Sequence, residues 1–334
     1  MTRTTSRTNP RAVRVLGAAL SVTALLAATA CGGSTEAASG TGTSQVTLTL
    51  GDQARNLQTL FTASGALKGT SYKVKWAEFE GAAPLFQAVQ AGAADTSYAA
   101  DLPTLQALSG GVPVKAVGAL HNDGSHTGIV VRKGSPVRSV KNLRGKKVVV
   151  SSAKGSIAEY LLAHVLEQAG LRYSDVKVQY LLPTDAQAAF ASGKIDAWAT
   201  FGVYKAAAEQ QGGRLLVNGT DGRISGYGFL GASEKALADK GKKAAISDFL
   251  RRLDKALAWS RKHPDEYAKA IRQQNGASAE IARTLVSQSN SDLLPVSDRV
   301  TRDVQQVGDT MHRIGVLTPN PQLADHVDPS LFKE

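Results

Sequence analysis

Gly155 and Ser156 open an amphipathic run that ends at Ala169, and this pair could hold an anion. The first N–H groups of a helix find no partner within it, and the helix dipole favours negative charge at that end. Ser156 adds a hydroxyl, and Gly155 lets the backbone come close. The same pair also fits a plain N-cap that binds nothing. Gln53 follows an alternating run and carries an amide that can donate. Asp52 beside it opposes an anion unless it turns away or pairs with a cation such as Arg55. Ser97 and Tyr98 close a second run; Trp198, Thr200 and Phe201 close a third. Trp198 fits ordinary core packing equally well. Tyr227 follows a turn-rich stretch, and Arg223 in that stretch is either a cationic partner or a solvated loop charge.

Little else in the chain points to catalysis. His121, His126, His164, His263, His312 and His326 form no HExxH or other tight ligand cluster, and there is no Gly-x-Ser-x-Gly elbow or P-loop. The expectation is a non-enzyme with no metal and no cofactor. The formal charge of +11 invites a nucleic-acid reading. A binder of that kind gathers Lys and Arg with aromatics on one face. Here the bases are spread (Lys141, Arg144, Lys146 and Lys147; Arg251, Arg252 and Lys255) with acids among them, so no nucleic-acid partner is expected.

The lone cysteine has another use. Arg3, Arg7, Arg11 and Arg14 precede an uncharged apolar run, Val15 to Ala30, and Cys31 follows at once. A basic start, a short apolar stretch and small residues before a cut describe an export signal. The run is shorter than the ~20 residues a spanning helix needs. Removal of residues 1–30 takes away four Arg and leaves a formal charge of +7. Residues 31–45 are rich in Gly, Ser and Thr and read as a flexible tether.

The rest must position the candidate residues, and it alternates strand and helix. Strands are expected at 46–50, 72–79, 95–98 and 114–120, with helices at 57–67, 84–91 and 102–108 between them. A second cycle places strands at 128–131, 148–150, 176–181, 195–199 and 214–217 around helices at 156–169, 184–191 and 204–211. After a strand at 227–231 the chain reads as mostly helical to its end, broken at Pro295 and Pro319. Alternation of this kind argues for α/β sheets with crossover connections. Two cycles suggest two lobes about a cleft: 46–125 in the first lobe, 126–225 in the second, and 226–334 returning to the first as C-terminal helices. Ligands in such folds sit at strand carboxyl ends and helix N-termini, where the candidates above lie.

A succession of short motifs carries a family resemblance. Glu78-Phe79 leads to Pro84-Leu85, Ala88-Val89, Ala91-Gly92 and Asp95, closing at Asp101-Leu102-Pro103. Gly145-Lys146-Lys147-Val148, Lys154-Gly155-Ser156, Gly170-Leu171, Pro183-Thr184-Asp185-Ala186, Ser192-Gly193 and Asp196-Ala197-Trp198 follow in order. Over about residues 46–275 this resembles the solute-binding lipoproteins of ABC importers for aliphatic sulfonates, taurine and nitrate. Ala28-Thr29-Ala30-Cys31 likewise resembles a bacterial lipobox, with Ala28 where Leu is usual.

The resemblance implies a periplasmic-binding-protein type II fold that closes on one small anion, with no chemistry of its own. It implies a monomeric extracytoplasmic receptor, lipid-anchored to the membrane through Cys31, that delivers its ligand to a permease and its ATPase. The ligand it favours is an alkanesulfonate, held by Gln53, Ser97, Tyr98, Gly155, Ser156, Trp198, Thr200, Phe201 and Tyr227, with aromatic rings against the apolar part. Nitrate, taurine or a pyrimidine-type heterocycle are alternatives, as are a non-transport sensor and an enzyme on the same fold. Two departures bear on the ligand. Phe201-Gly202-Val203-Tyr204 stands where the family commonly has Trp-Asp-Pro-Tyr, and Ala100 stands where Gly is usual.

Overall fold

The computed structural model describes residues 45–333. The expected export signal, Cys31 and all of the tether but Gln45 lie outside the described residues. The alternating runs form strands and the 3.6-period runs form helices. In chain order, β1 (Thr47–Gln53), α1 (Asn56–Ser64), β2 (Lys73–Phe79), α2 (Ala82–Gln90), β3 (Thr96–Ala100), α3 (Asp101–Ser109) and β4 (Val114–His121) make the first cycle. The second is β5 (Thr127–Val131), β6 (Lys147–Val150), α4 (Ile157–Gln168), β7 (Lys177–Tyr180), α5 (Pro183–Ala191), β8 (Ala197–Phe201), α6 (Gly202–Gln210) and β9 (Arg214–Asn218). Then come β10 (Tyr227–Ser233), α7 (Glu234–Ala238), α8 (Lys240–Lys262), α9 (Pro264–Asn275), α10 (Ala279–Gln288), β11 (Asp292–Leu294) and α11 (Asp298–Arg313).

Two mixed sheets result. The first has the order β11-β4-β10-β3-β1-β2, and the second β7-β6-β8-β5-β9. In the first, β1 runs parallel to β2 and β3, while β10 lies antiparallel between β3 and β4. In the second, β6 runs parallel to β7 and β8, and β5 is antiparallel to β8 and β9.

Alternate side chains divide each sheet between two cores. Leu48, Leu50 and Leu230 meet Phe61 of α1 and Phe249 of α8 on one face of the first sheet. Phe86, Leu105, Leu161 and Val304, from α2, α3, α4 and α11, join Ile129 and Val148 in a core shared by both lobes. The remaining face of the second sheet turns Val130, Val149 and Trp198 toward Phe190 of α5 and Ala208 of α6.

The tail is mostly helical, as expected, with one short strand that was not anticipated: β11 adds three residues antiparallel to β4. The exposed edge of β4 presents N–H and C=O groups that need partners, and this short piece supplies them.

Candidate functional site

A cavity of about 300 Å³ lies between the two sheets, at the carboxyl ends of β1, β3 and β8 and at the loop after β6. The first turns of five helices reach its wall: α1 through Asn56, α2 through Ala82 and Ala83, α3 through Pro103, α4 through Ile157, and α6 through Gly202, Val203 and Tyr204. Each such end offers unpaired N–H groups.

Two of these ends are already taken by the chain's own carboxylates, and a third carboxylate is bonded just ahead of α4. Asp52 accepts the Gln58 N–H at the start of α1 and the Gln53 N–H, both at 2.8 Å. Asp101 accepts the Leu102 N–H of α3 at 2.6 Å, and its other oxygen accepts the Ser225 hydroxyl. Glu159 accepts the Gly155 N–H ahead of α4 at 2.6 Å. The ends of α2 and α6 differ, since neither carries a side-chain cap or an acidic residue in its first turn. One belongs to each lobe.

The wall holds few full charges. Glu80 and Lys154 are its only Asp, Glu, Lys or Arg residues among those described. Glu80 accepts the Thr184 hydroxyl at 2.7 Å, joining the two lobes, and the Lys154 ammonium donates to the Gly315 carbonyl at 3.3 Å. Burial pushes His126 down to about 4, opposed by Asp123 and aided by Lys205, so its imidazole is neutral near pH 7. Burial likewise raises Asp52 to about 7 against the Gln58 N–H, and Asp101 to about 6 against the Ser225 hydroxyl. Tyr98 is pushed up to about 12, first by burial and then by the Asp52 charge, and stays a neutral phenol. Any anion held here is therefore met mainly by N–H dipoles and hydroxyls.

Of the residues expected from sequence, Gln53, Tyr98, Gly155, Ser156, Phe201 and Tyr227 line the cavity. Their engagement varies. The Gln53 amide donates to the Tyr98 carbonyl at 2.7 Å. Ser156 caps α4, accepting the Glu159 N–H at 3.3 Å. Gly155 has φ +81°, and a Cβ there would lie 2.5 Å from the Gln106 side chain. Asp52 turns away from the cavity to cap α1. Arg223 pairs with Asp221 at 2.8 Å and does not line the cavity.

Ser97, Trp198 and Thr200 do not line it, which corrects three expectations. The parity of the strands is the reason. Ser97 sits buried opposite Gly231 of β10. Trp198 is fully buried on the face turned to α5 and α6, and its indole N–H donates to Ser151 Oγ at 2.8 Å. Thr200 is two residues on and points the same way.

Other wall residues escaped the sequence reading: Ser152, Lys154, Asn122, His126, Gln106 and Glu80. Ser152 and Lys154 belong to a loop at a strand's carboxyl end, a position that could have drawn attention to them. Gln106 lies on a helix face that only tertiary packing selects, and its Oε1 is buried without a partner. Phe86, Tyr98, Phe201, Tyr204 and Tyr227 supply an aromatic lining, with Phe201 and Tyr204 edge-to-face at 6.4 Å.

Residues 72–267, more than half of the chain, match the family model described as NMT1/THI5 like. The chain belongs to the NMT1/THI5-like family. A protein of Escherichia coli (strain K12), named as an aliphatic sulfonates-binding protein, is 33% identical over 242 residues, 72% of this chain and 74% of its own. A like-named protein of Bacillus subtilis (strain 168) is 26% identical over 270 residues, 80% of each chain. The alkanesulfonate-binding protein SsuA from Xanthomonas axonopodis pv. citri, solved bound to MOPS, superposes with a TM-score of 0.79 at 27% identity, covering 85% of this chain and 98% of its own. These relatives are named as binding proteins rather than enzymes. This NMT1/THI5-like chain has the periplasmic-binding-protein type II fold, two α/β lobes with a cleft between them and a largely helical C-terminal tail.

Proposed function

We propose that this chain is the extracytoplasmic receptor of an ABC importer, binding an aliphatic sulfonate between its lobes and passing it to a permease and its ATPase. The observation that carries the reading is the pair of uncapped helix ends, α2 from one lobe and α6 from the other, facing one aromatic-lined cavity. A sulfonate has three acceptor oxygens and one charge spread over them. Backbone N–H groups at helix starts suit such a head without any Arg. The rings of Phe86, Phe201 and Tyr204 suit its apolar tail. The names of the curated relatives and the MOPS in the SsuA structure support the same class, since MOPS is itself a sulfonate. Nitrate fits less well, because it leaves the apolar wall without a partner. In this reading Gln53, Tyr98, Gly155, Ser156, Phe201 and Tyr227 contribute to the wall around the ligand.

Thermal unfolding across a ligand panel tests the proposal. Butanesulfonate at a hundred times its Kd contributes about 2.7 kcal/mol to stability by mass action. That corresponds to a rise in Tm of roughly 4 °C for a chain of this size. Nitrate and sulfate at the same concentration should shift it by less than about a third of that. Stabilisation by a pyrimidine alone would sink the sulfonate reading.

We further infer that Cys31 is the lipid attachment point. The basic start, the apolar run and the small residues before Cys31 support this. Two or more acyl chains hold a protein firmly where one chain is marginal. Cys31→Ser should move the protein from the membrane fraction to the soluble fraction; a variant still wholly membrane-bound contradicts the anchor. The receptor is taken to act as a monomer.

A further inference from the structure

We propose that Glu159 is a specificity-determining residue of the cavity: its carboxylate is a resident anion seated on the Gly155 N–H just ahead of α4, and it biases the site toward ligands bearing a single negative charge. Glu159 is fully buried. Its Oε2 accepts the Gly155 N–H at 2.6 Å. Its Oε1 accepts two phenols, Tyr173 at 2.5 Å and Tyr180 at 2.6 Å. Among the described residues no Lys, Arg or His forms a salt bridge with it, although a buried carboxylate usually needs a cation. The α4 dipole and three donated hydrogen bonds hold the charge instead. This is the construction of an anion site, filled by the chain's own side chain.

The consequences reach the ligand. Gly155, Ser156 and Ile157 line the cavity, and Glu159, which does not, is bonded to the Gly155 N–H. Its charge, which no cation pairs, also lies behind that wall, where the interior screens poorly. A monoanion seated at α2 and α6 tolerates this charge. A second negative group reaching toward α4 meets it head on. Burial and the Glu159 carboxylate both raise the pKa values of Tyr173 and Tyr180, so both phenols stay neutral donors and add no further negative charge.

Glu159→Gln removes the charge and keeps the shape. Wild type and variant are titrated by calorimetry with butanesulfonate, a monoanion, and ethane-1,2-disulfonate, a dianion. The preference for the monoanion should fall about tenfold in the variant. A folded variant with an unchanged preference overturns the proposal. The ligand arm rests on the sulfonate reading, so a second arm stands apart from it. Glu159→Ala vacates the seat, and acetate should raise the Tm of that variant by several degrees while acetamide does not. Wild type, its seat filled, should respond to neither. Acetate acting equally on both proteins overturns the resident-anion assignment. If neither protein binds any sulfonate while acetate rescues the alanine variant alone, the sulfonate reading fails and the resident-anion assignment stands.

Discussion

Val203→Asp is expected to abolish sulfonate binding while the protein stays folded. Val203 lies in the first turn of α6, half-buried on the cavity wall, at one of the two helix ends that carry no acid. A carboxylate there would do for α6 what Asp52 and Asp101 do for α1 and α3. It would engage the free N–H groups and present a negative charge to the ligand. A hydrogen bond to a charged group is worth about 1.5–3 kcal/mol. Losing one such bond and adding like-charge repulsion predicts at least a ~100-fold rise in Kd. The helix should not suffer, since acids favour the first turn. Calorimetry with butanesulfonate decides the matter, alongside circular dichroism to show the fold. An affinity within threefold of wild type would mean that α6 does not hold the sulfonate.

Trp198→Ala should have the opposite profile, a large loss of stability with no direct loss of ligand contact. Trp198 is among the largest fully buried side chains of the described residues and packs against Phe190 with ring centroids 5.7 Å apart. Removing an aromatic of this size from a packed core costs about 3–5 kcal/mol. The change also leaves Ser151 Oγ without its indole donor. Denaturant unfolding should show the midpoint falling by the corresponding amount. Under conditions where the variant is folded, its affinity for butanesulfonate should remain within a few-fold of wild type. A normal midpoint with ruined binding would place Trp198 in the ligand wall after all.

The contrast between these two residues shows how far the sequence could be read. The strands were legible because their apolar residues alternate or run unbroken between turns. Which parity faces the cavity was not legible, because Ala197 to Thr200 are buried on both faces of the second sheet. A strand covered on both sides has no polar face to mark its direction. Trp198 and Phe201 therefore looked equivalent as cleft aromatics, and only Phe201 is. The three-residue β11 left no periodic signal, so the tail read as helix.

Ser156 is a different case. Its place at a helix start was legible, and so was its capping of the Glu159 N–H. A Ser followed three residues later by Glu is the signature of a self-capped helix. Ser156 and Glu159 have that spacing. The two tyrosines that complete the arrangement, Tyr173 and Tyr180, lie fourteen and twenty-one residues further on and meet Glu159 only in the fold. The uncapped starts of α2 and α6 could also be read as the absence of an acid, but many surface helices share it. Their convergence on one cavity is a property of the sheets.

The uncapped ends belong to different lobes, which has a consequence for release. A head group touching both α2 and α6 acts as a tie across the hinge, and each lobe alone offers half of its seat. Prying the lobes apart then unmakes the seat without any competitor entering it. On the proposed reading, separation of the lobes is enough to release the cargo, whatever the concentration of solute outside.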